Sequence, residues 1–160
     1  MKKHLIVFLL FANIAVCATE NFSFVGATVS TKASTFTNAG TNRDATFGLR
    51  YGLQNTQWRT MVSLEADYRG YKEATLETDY LFNTLDIESQ KIKPYLGVSI
   101  GYYDHDNSDS QHALFAGHFG LIFNVSDKID FDASVSYGEK RDNINLDHLV
   151  GLSFGVHYFF

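Results

Sequence analysis

The chain has 160 residues, a formal net charge of −5, one cysteine and one proline, and 15% of its residues are aromatic. This length is typical of a single domain. The acidic balance argues against nucleic acid as a partner. The mean hydropathy of −0.12 argues against a helical membrane segment downstream of the N-terminal region.

The N-terminal region has the pattern of a secretory signal peptide. Two lysines precede an uncharged apolar run over residues 5–16, which is too short to be a spanning helix. The residues that follow predict cleavage after Ala18. Residues 1–18 are therefore predicted to be a cleaved signal peptide, and residues 19–160 the mature domain.

A lipoprotein signal with an acylated Cys17 is the alternative for this region. Val16 departs from the small residue that usually precedes such a cysteine. Cleavage after Ala18 removes the only cysteine, so the mature protein is expected to be stabilised without a disulfide.

Segments with a period of two recur along the mature chain, separated by clusters of turn-forming residues. They predict eight strands of about ten residues, which is the length that crosses a bilayer at a tilt. Long polar connections follow the first, fifth and seventh strands, and an even number of strands brings the two ends of the chain to the same side. The predicted strands are residues 22–30, 45–53, 58–69, 75–83, 94–103, 112–123, 129–138 and 149–160.

The C-terminal strand has the clearest apolar face. Alternate residues are apolar up to the last residue of the chain, and the residues between them are mostly small or polar. Because successive side chains of a strand point to opposite faces, these residues form one continuous stripe. The stripe consists of Val150, Leu152, Phe154, Val156, Tyr158 and Phe160.

Charged side chains decide which face of the predicted barrel meets water. A soluble ligand-binding barrel is apolar inside, whereas a membrane barrel is apolar outside. The charges all fall on the face opposite the aromatic stripe, and an arginine in the middle of the lipid would cost about 2–4 kcal/mol. The sequence therefore predicts an all-β protein, a closed antiparallel eight-stranded transmembrane β-barrel. The predicted lumenal charges are Arg50, Arg59, Glu65, Asp67, Arg69, Glu77, Asp79, Asp130 and Asp132.

Three features together resemble the small bacterial outer-membrane β-barrel proteins of the OmpA/OmpX type. They are the signal peptide, the strand that begins Lys93-Pro94-Tyr95-Leu96-Gly97, and the terminal Phe160. The resemblance implies an outer-membrane location with both termini in the periplasm. It also implies contact with membrane lipid and lipopolysaccharide, a monomeric state, and a C-terminal signal (Tyr158 and Phe160) that the barrel-insertion machinery reads.

The lumenal charges are the first candidate site, either as a structural network or as an ion pathway. The hairpin predicted between the third and fourth strands places Glu65 and Asp67 opposite Glu77 and Asp79. An eight-stranded barrel leaves little open bore, which favours the structural role.

Other polar groups suggest weaker candidates. The polar run at residues 104–109 could hold a divalent cation, but it lacks the glycine and the distant glutamate of a calcium loop. Some small barrels modify lipid A with a histidine at the outer leaflet, but no histidine here has a recognisable nucleophile spacing. The histidines considered are His105, His112, His118, His148 and His157, of which His118 and His157 are predicted to face the lumen.

No catalytic, cofactor or metal site is predicted. The leading functional hypothesis is a non-enzymatic protein that supports envelope integrity or binds a surface ligand through loops at residues 31–44, 104–111 and 139–145. A narrow cation-preferring channel is the alternative, and a lipid A-modifying enzyme is the third possibility.

Overall fold

The computed structural model describes residues 21–36, 40–87, 90–105, 112–141 and 146–160, so the predicted signal peptide and Cys17 lie outside the described residues. Within these ranges, no helix is long and apolar enough to cross a membrane. The described residues form nine antiparallel strands. These are β1 (Phe22–Phe36), β2 (Gly40–Gln54), β3 (Trp58–Ala66), β4 (Tyr71–Leu81), β5 (Leu85–Ile87), β6 (Gln90–His105), β7 (His112–Ser126), β8 (Ile129–Arg141) and β9 (Leu146–Phe159).

Eight of these strands form a closed ring. Neighbours in sequence pair with each other, β1 also pairs with β9, and β4 pairs with β6. The short β5 stands outside the ring and forms a small hairpin with the first residues of β6. The predicted closed eight-stranded antiparallel barrel is therefore confirmed.

The two ends of the barrel differ in what they carry. The terminus end holds the first residue of β1, the last residue of β9, the connections at 55–57 and 127–128, and the segment 82–89, which contains the short β5. The loop end holds the connections at 37–39, 67–70, 106–111 and 142–145. These names, terminus end and loop end, are used below.

The outer face of the barrel is apolar and the inner face is polar. Side chains predicted to face outward are exposed, for example Leu64 at 58%, Phe119 at 52% and Phe154 at 65%. The alternate residues of the same strands are buried, so the predicted orientation of these strands is confirmed. Exposed apolar residues that share one face in this way mark a surface that contacts a membrane or another protein.

Apolar side chains close the lumen at the terminus end. Leu81, Tyr95 and Ile122 are nearly inaccessible and contact each other, and Phe24 and Met61 lie at the same end. The neighbouring Gly52 provides the space for this packing. A Cβ there would come within 2.6 Å of the Phe24 ring and 2.7 Å of the Met61 Cβ.

Several strands extend further toward the loop end than the sequence predicts. The stretch 31–44, predicted as a loop, belongs mostly to β1 and β2, which pair up to Phe36 and Gly40. β4 begins at Tyr71 rather than at residue 75, and β8 continues to Arg141. The prediction was wrong here because these extensions are polar on both faces and therefore lack the apolar alternation that marks a strand in lipid.

Candidate functional site: the lumenal charge network

Arg59 is the centre of the charged network inside the barrel. Its side chain is inaccessible to solvent, its Nε lies 2.6 Å from Asp79 Oδ2, and its Nη1 lies 2.8 Å from Asp132 Oδ2. The guanidinium carbon also lies 4.4 Å from the centre of the Tyr95 ring, a cation–π contact. One arginine thus joins two buried carboxylates and an aromatic ring.

The Arg59–Asp132 ion pair spans the whole bore. Arg59 is on β3 and Asp132 is on β8, and three strands separate β3 from β8 in either direction around the ring. An ion pair between diametrically opposite strands blocks the lumen at this level. The barrel interior here is filled with side chains, as expected for eight strands.

Two further side chains complete this layer. The Nε2 of His118 lies 2.5 Å from Asp79 Oδ1, and the Tyr95 hydroxyl donates to Asp132 Oδ1 at 3.0 Å. The layer therefore links β3, β4, β6, β7 and β8. All four oxygens of the two aspartates have a hydrogen-bonding partner, which a buried carboxylate requires.

A second charged layer lies nearer the loop end and is centred on Lys32 of β1. Its Nζ lies 2.7 Å from Glu73 Oε1 and 2.9 Å from Glu65 Oε2. Thr46 donates to Glu65 Oε2 at 2.7 Å, and the Tyr71 hydroxyl donates to Glu73. The lysine bridges two glutamates that are directly opposite each other in the β3–β4 register and reduces their repulsion.

The space between the two layers is small. Ser99, Ser134, Ser136 and Ser153 line it together with Glu77, which accepts from Ser63 at 2.5 Å. The volume open to the centre of a water molecule is about 50 Å³. Because one water needs roughly 10–15 Å³ by this measure, the chamber has room for a few waters.

Arg50 and Asp130 lie at the edges of the network. Arg50 Nη1 is 3.8 Å from Asp132 Oδ1, and its Nη2 donates to the Ser153 hydroxyl at 3.1 Å. Asp130 accepts from the Asn124 amide at 2.7 Å.

Among the described residues, six buried carboxylates face two buried arginines and the largely buried Lys32. The carboxylates are Glu65, Glu73, Glu77, Asp79, Asp130 and Asp132.

Two residues that the sequence placed in the lumen lie elsewhere. β3 ends at Ala66, so Asp67 and Arg69 belong to the turn at the loop end, and the prediction that they face the lumen was wrong. Asp67 Oδ1 accepts from the backbone N–H groups of Arg69 and Tyr71 at 2.7 and 2.9 Å. The carboxylate shapes this turn, and Gly70 completes it with a φ of 89°.

The other seven predicted residues are buried in the lumen. They are Arg50, Arg59, Glu65, Glu77, Asp79, Asp130 and Asp132.

The predicted pairing across the β3–β4 hairpin was also wrong. Glu65 is opposite Glu73, and Asp79 is opposite Arg59. The observed pairing differs because β4 begins at Tyr71, four residues before its predicted start, so the turn falls earlier in the chain. Lys32 and Glu73 were missed because both fell in segments predicted as connections. Continuing the period of two from Glu77 back through Thr75 would have placed Glu73 in the lumen.

The lumenal histidines have different surroundings. His118 is bonded to Asp79, whereas neither ring nitrogen of the fully buried His157 has a hydrogen-bonding partner in the described residues. His148 lies outside the lumen, where its Nδ1 is 3.1 Å from the Tyr137 hydroxyl. The possible cation loop at 104–109 and the side chains of His105 and His112 lie largely outside the described residues. Within the described residues, no His, Cys, Asp or Glu groups have a metal-binding arrangement.

Comparison with known proteins identifies the fold. The chain matches no protein-family model, and no curated protein matches it by sequence. Among solved structures, the neisserial surface protein A superposes with a TM-score of 0.59 at 17% identity, covering 86% of this chain and 97% of the other. Ail, the attachment invasion locus protein of Yersinia pestis, gives 0.58 at 16% identity, with 89% and 100% covered. The N-terminal barrel domain of OprF from Pseudomonas aeruginosa gives 0.54 at 16%, with 87% and 100% covered.

The chain therefore has the fold of the small eight-stranded outer-membrane β-barrels, as its sequence pattern predicts. At these identities the likeness concerns the fold, and the function has to be argued from the residues.

Proposed function

We propose that the chain is a monomeric outer-membrane protein that acts without catalysis, as a closed barrel that presents its loop-end connections at the cell surface. The observation that carries this proposal is the Arg59–Asp132 ion pair across the bore. The apolar cluster closes the lumen at the terminus end, and the Lys32 layer narrows it on the loop-end side along β1, β2, β3 and β4. A barrel closed at two levels is suited to anchoring surface segments in a membrane.

The outer face supports a location in lipid. Exposed apolar residues recur on the ring strands, and Trp58 and Tyr158 lie near the terminus end while Tyr102 and Tyr137 lie near the loop end. Tyr and Trp are enriched at the two interfaces of a membrane. Outer-membrane barrels have short periplasmic turns and longer extracellular loops. The short connections at 55–57 and 127–128 support a periplasmic position for the two termini, although the connection at 82–89 is the longest of the seven.

The composition of the loop-end connections indicates what they could bind. Together the four connections carry four aspartates, which are Asp67, Asp106, Asp109 and Asp142, and one arginine, Arg69. Ail has been crystallised with sucrose octasulfate, a heparin analogue. The acidic connections of the present chain favour instead a basic ligand, or lipopolysaccharide phosphates bridged by divalent cations.

Binding to cells that display the protein tests the surface role. We compare the wild type with Asp106→Asn/Asp109→Asn, which keeps the loop length, and with a deletion of residues 106–111. Both variants are expected to bind a labelled basic peptide less than the wild type does. The wild type is expected not to bind heparin. Heat-modifiable migration on gels confirms that each variant is folded. Equal peptide binding by all three proteins would exclude a role for this loop.

The second candidate is a narrow cation-preferring channel. It is favoured by one observation, the excess of six lumenal carboxylates over three cationic side chains in the described part of the chain. Such an excess would select cations if the side-chain layers opened. Conductance measurements separate this candidate from the closed barrel.

A further inference from the structure

The apolar outer face of the barrel contains two large grooves near the loop end. One crosses β2, β3, β4 and β6 and has a volume of about 720 Å³, and the other crosses β6, β7 and β8 with a volume of about 730 Å³. Both volumes lie in the range of about 300–1,000 Å³ that is typical of ligand sites. They are called the β2–β6 groove and the β6–β8 groove below.

Small side chains form the floor of the β2–β6 groove. Ala66 is directly opposite Phe47, and Ala74 lies between Leu64 and Tyr102 in the strand register. The three larger side chains are more than half exposed, so they project beyond the alanines as walls. Because neighbouring strands are about 4.8 Å apart, a groove across four strands is about 14 Å long. This is close to half of the roughly 30 Å hydrocarbon core, the depth of one leaflet.

A cation lies at the loop-end mouth of the β2–β6 groove. Lys72 and Asp104 are directly opposite each other, two residues further toward the loop end than the pair Ala74 and Tyr102. Tyrosines of this kind mark the membrane interface, so Lys72 lies at the level of the lipid headgroups. Its side chain is exposed and lines the groove. A lysine at this position can keep its stem on apolar surface and its ammonium among the headgroups.

The other charged residues near the groove are engaged elsewhere. Glu65 and Glu73 line it from the barrel wall, but their carboxylates point into the lumen and bind Lys32. Lys72 and Asp104 are therefore the charged side chains that face this groove from the lipid side.

The adjoining β3–β4 turn adds one charge of each sign. The Asp67 carboxylate accepts hydrogen bonds from two backbone N–H groups of its own turn. The Arg69 guanidinium lies 5.1 Å from the centre of the exposed Tyr68 ring. These two charges offset each other, so the balance between Lys72 and Asp104 decides what the mouth of the groove attracts.

The β6–β8 groove has a similar volume and a different charge. Its smallest side chain is Gly117, directly opposite Tyr137. The exposed Glu139 lies two residues further toward the loop end than Tyr137, and His148 is directly opposite it. Glu139 lines this groove, whereas no lysine or arginine of the described residues does. The two grooves therefore separate the effect of shape from the effect of a cation.

We infer that the β2–β6 groove is a binding site for a phosphorylated membrane lipid, with an acyl chain along Ala66 and Ala74 and the phosphate at Lys72. The ammonium donates charge-assisted hydrogen bonds to the phosphate. Asp104 opposes this attraction, so a lipid is retained only when its chain also lies in the groove. Glu139 repels a phosphate at the equivalent position of the β6–β8 groove. The inference rests on the proposed position in a membrane and is independent of what the loops bind.

Variants of the groove floor and of its mouth test the site. Ala74→Leu fills the β2–β6 groove, and Gly117→Leu, which fills the β6–β8 groove, is the matched control because both residues face outward opposite an interfacial tyrosine. Lys72→Gln removes the cation, and Lys128→Gln, in an exposed turn at the terminus end, is its control. Asp104→Asn removes the opposing anion. Folding into phosphatidylcholine vesicles, read by heat-modifiable migration, tests the membrane position separately for every protein.

Native mass spectrometry from uncharged detergent counts the lipids bound during titration with dimyristoylphosphatidylglycerol. Dimyristoylglycerol, which has the same chains and no phosphate, is the second probe. The wild type, Gly117→Leu and Lys128→Gln are expected to retain one phosphatidylglycerol, and Ala74→Leu is expected to lose it. Lys72→Gln is expected to weaken binding about two- to fivefold, the range for one exposed ion pair. Asp104→Asn is expected to strengthen it.

Three results would overturn the inference in a protein that folds into vesicles. Equal lipid retention by Ala74→Leu and the wild type would show that the lipid lies elsewhere on the wall. Equal affinity for the two probes, or equal phosphatidylglycerol binding by Lys72→Gln and the wild type, would show that no phosphate is recognised. A lipid-free dimer that Ala74→Leu dissociates would show that a second copy occupies the groove.

Discussion

Arg59 and Asp132 lie on diametrically opposite strands of the barrel, yet their side chains meet at 2.8 Å. Arg59 also holds Asp79 at 2.6 Å, so one guanidinium is the nearest cation to two buried carboxylates. A residue that joins opposite walls affects both the stability of the barrel and the closure of its lumen.

Replacing Arg59 by methionine is expected to lower the free energy of unfolding by about 3–5 kcal/mol, because both buried aspartates lose their nearest cation. Urea unfolding in lipid vesicles, followed by the fluorescence of Trp58, measures this change. Arg69→Met, in the exposed turn, is the control and is expected to change it by about 0.5 kcal/mol or less. Adding Asp79→Asn and Asp132→Asn to Arg59→Met should recover part of the loss. Equal effects of the two arginine variants would contradict the role of the network.

Lys32→Met is expected to destabilise the barrel by about 3 kcal/mol, because Glu65 and Glu73 would then face each other without the cation that bridges them. The same unfolding experiment measures it, with the exposed Lys128→Met as control. The double variant Lys32→Met/Glu73→Gln removes the repulsion and should be more stable than Lys32→Met alone. A double variant less stable than the single one would show that Lys32 does not act by neutralising these glutamates.

The direction of insertion predicts which positions are reachable from outside the cell. Asp109→Cys lies in a loop-end connection and Thr56→Cys in a turn at the terminus end. A membrane-impermeant maleimide is expected to label Asp109→Cys on intact cells, and Thr56→Cys only after the outer membrane is permeabilised. The opposite pattern would reverse the proposed topology.

The family resemblance implies that Phe160 is part of a C-terminal insertion signal. Replacing this residue is therefore expected to impair the assembly of the barrel and not its stability. Phe160 is 66% exposed, and its backbone N–H donates to the Ser23 carbonyl oxygen whichever side chain is present. Phe160→Ala is expected to reduce the folded protein in cells several-fold, while leaving the unfolding of refolded protein nearly unchanged. Phe22→Ala, at the same end and 56% exposed, is the matched control. The same folded yield in cells for both variants would argue against a special role for Phe160.

The sequence predicts the barrel wall better than its interior. Where a strand crosses the apolar belt, as around Leu64 or Phe154, one face must be apolar and the period of two is strong. Beyond the belt, where Lys32 and Tyr71 lie, both faces are polar and the alternation disappears. For this reason the strands were predicted too short at the loop end.

The contacts across the lumen could not be predicted from the sequence. That Arg59 faces inward follows from its position on β3, but its pairing with Asp132 depends on how the eight strands are staggered around the ring. The β3–β4 register depends similarly on where the turn falls, and Asp67 fixes it there through its hydrogen bonds to the backbone.

Conductance of the folded wild-type protein in a planar lipid bilayer tests the closed lumen most directly. The Arg59 layer and the apolar cluster at the terminus end predict no discrete conductance steps from protein whose heat-modifiable migration shows it to be folded. Stable cation-selective steps that change in Glu65→Gln or Asp79→Asn would contradict the closed barrel and establish the channel in its place.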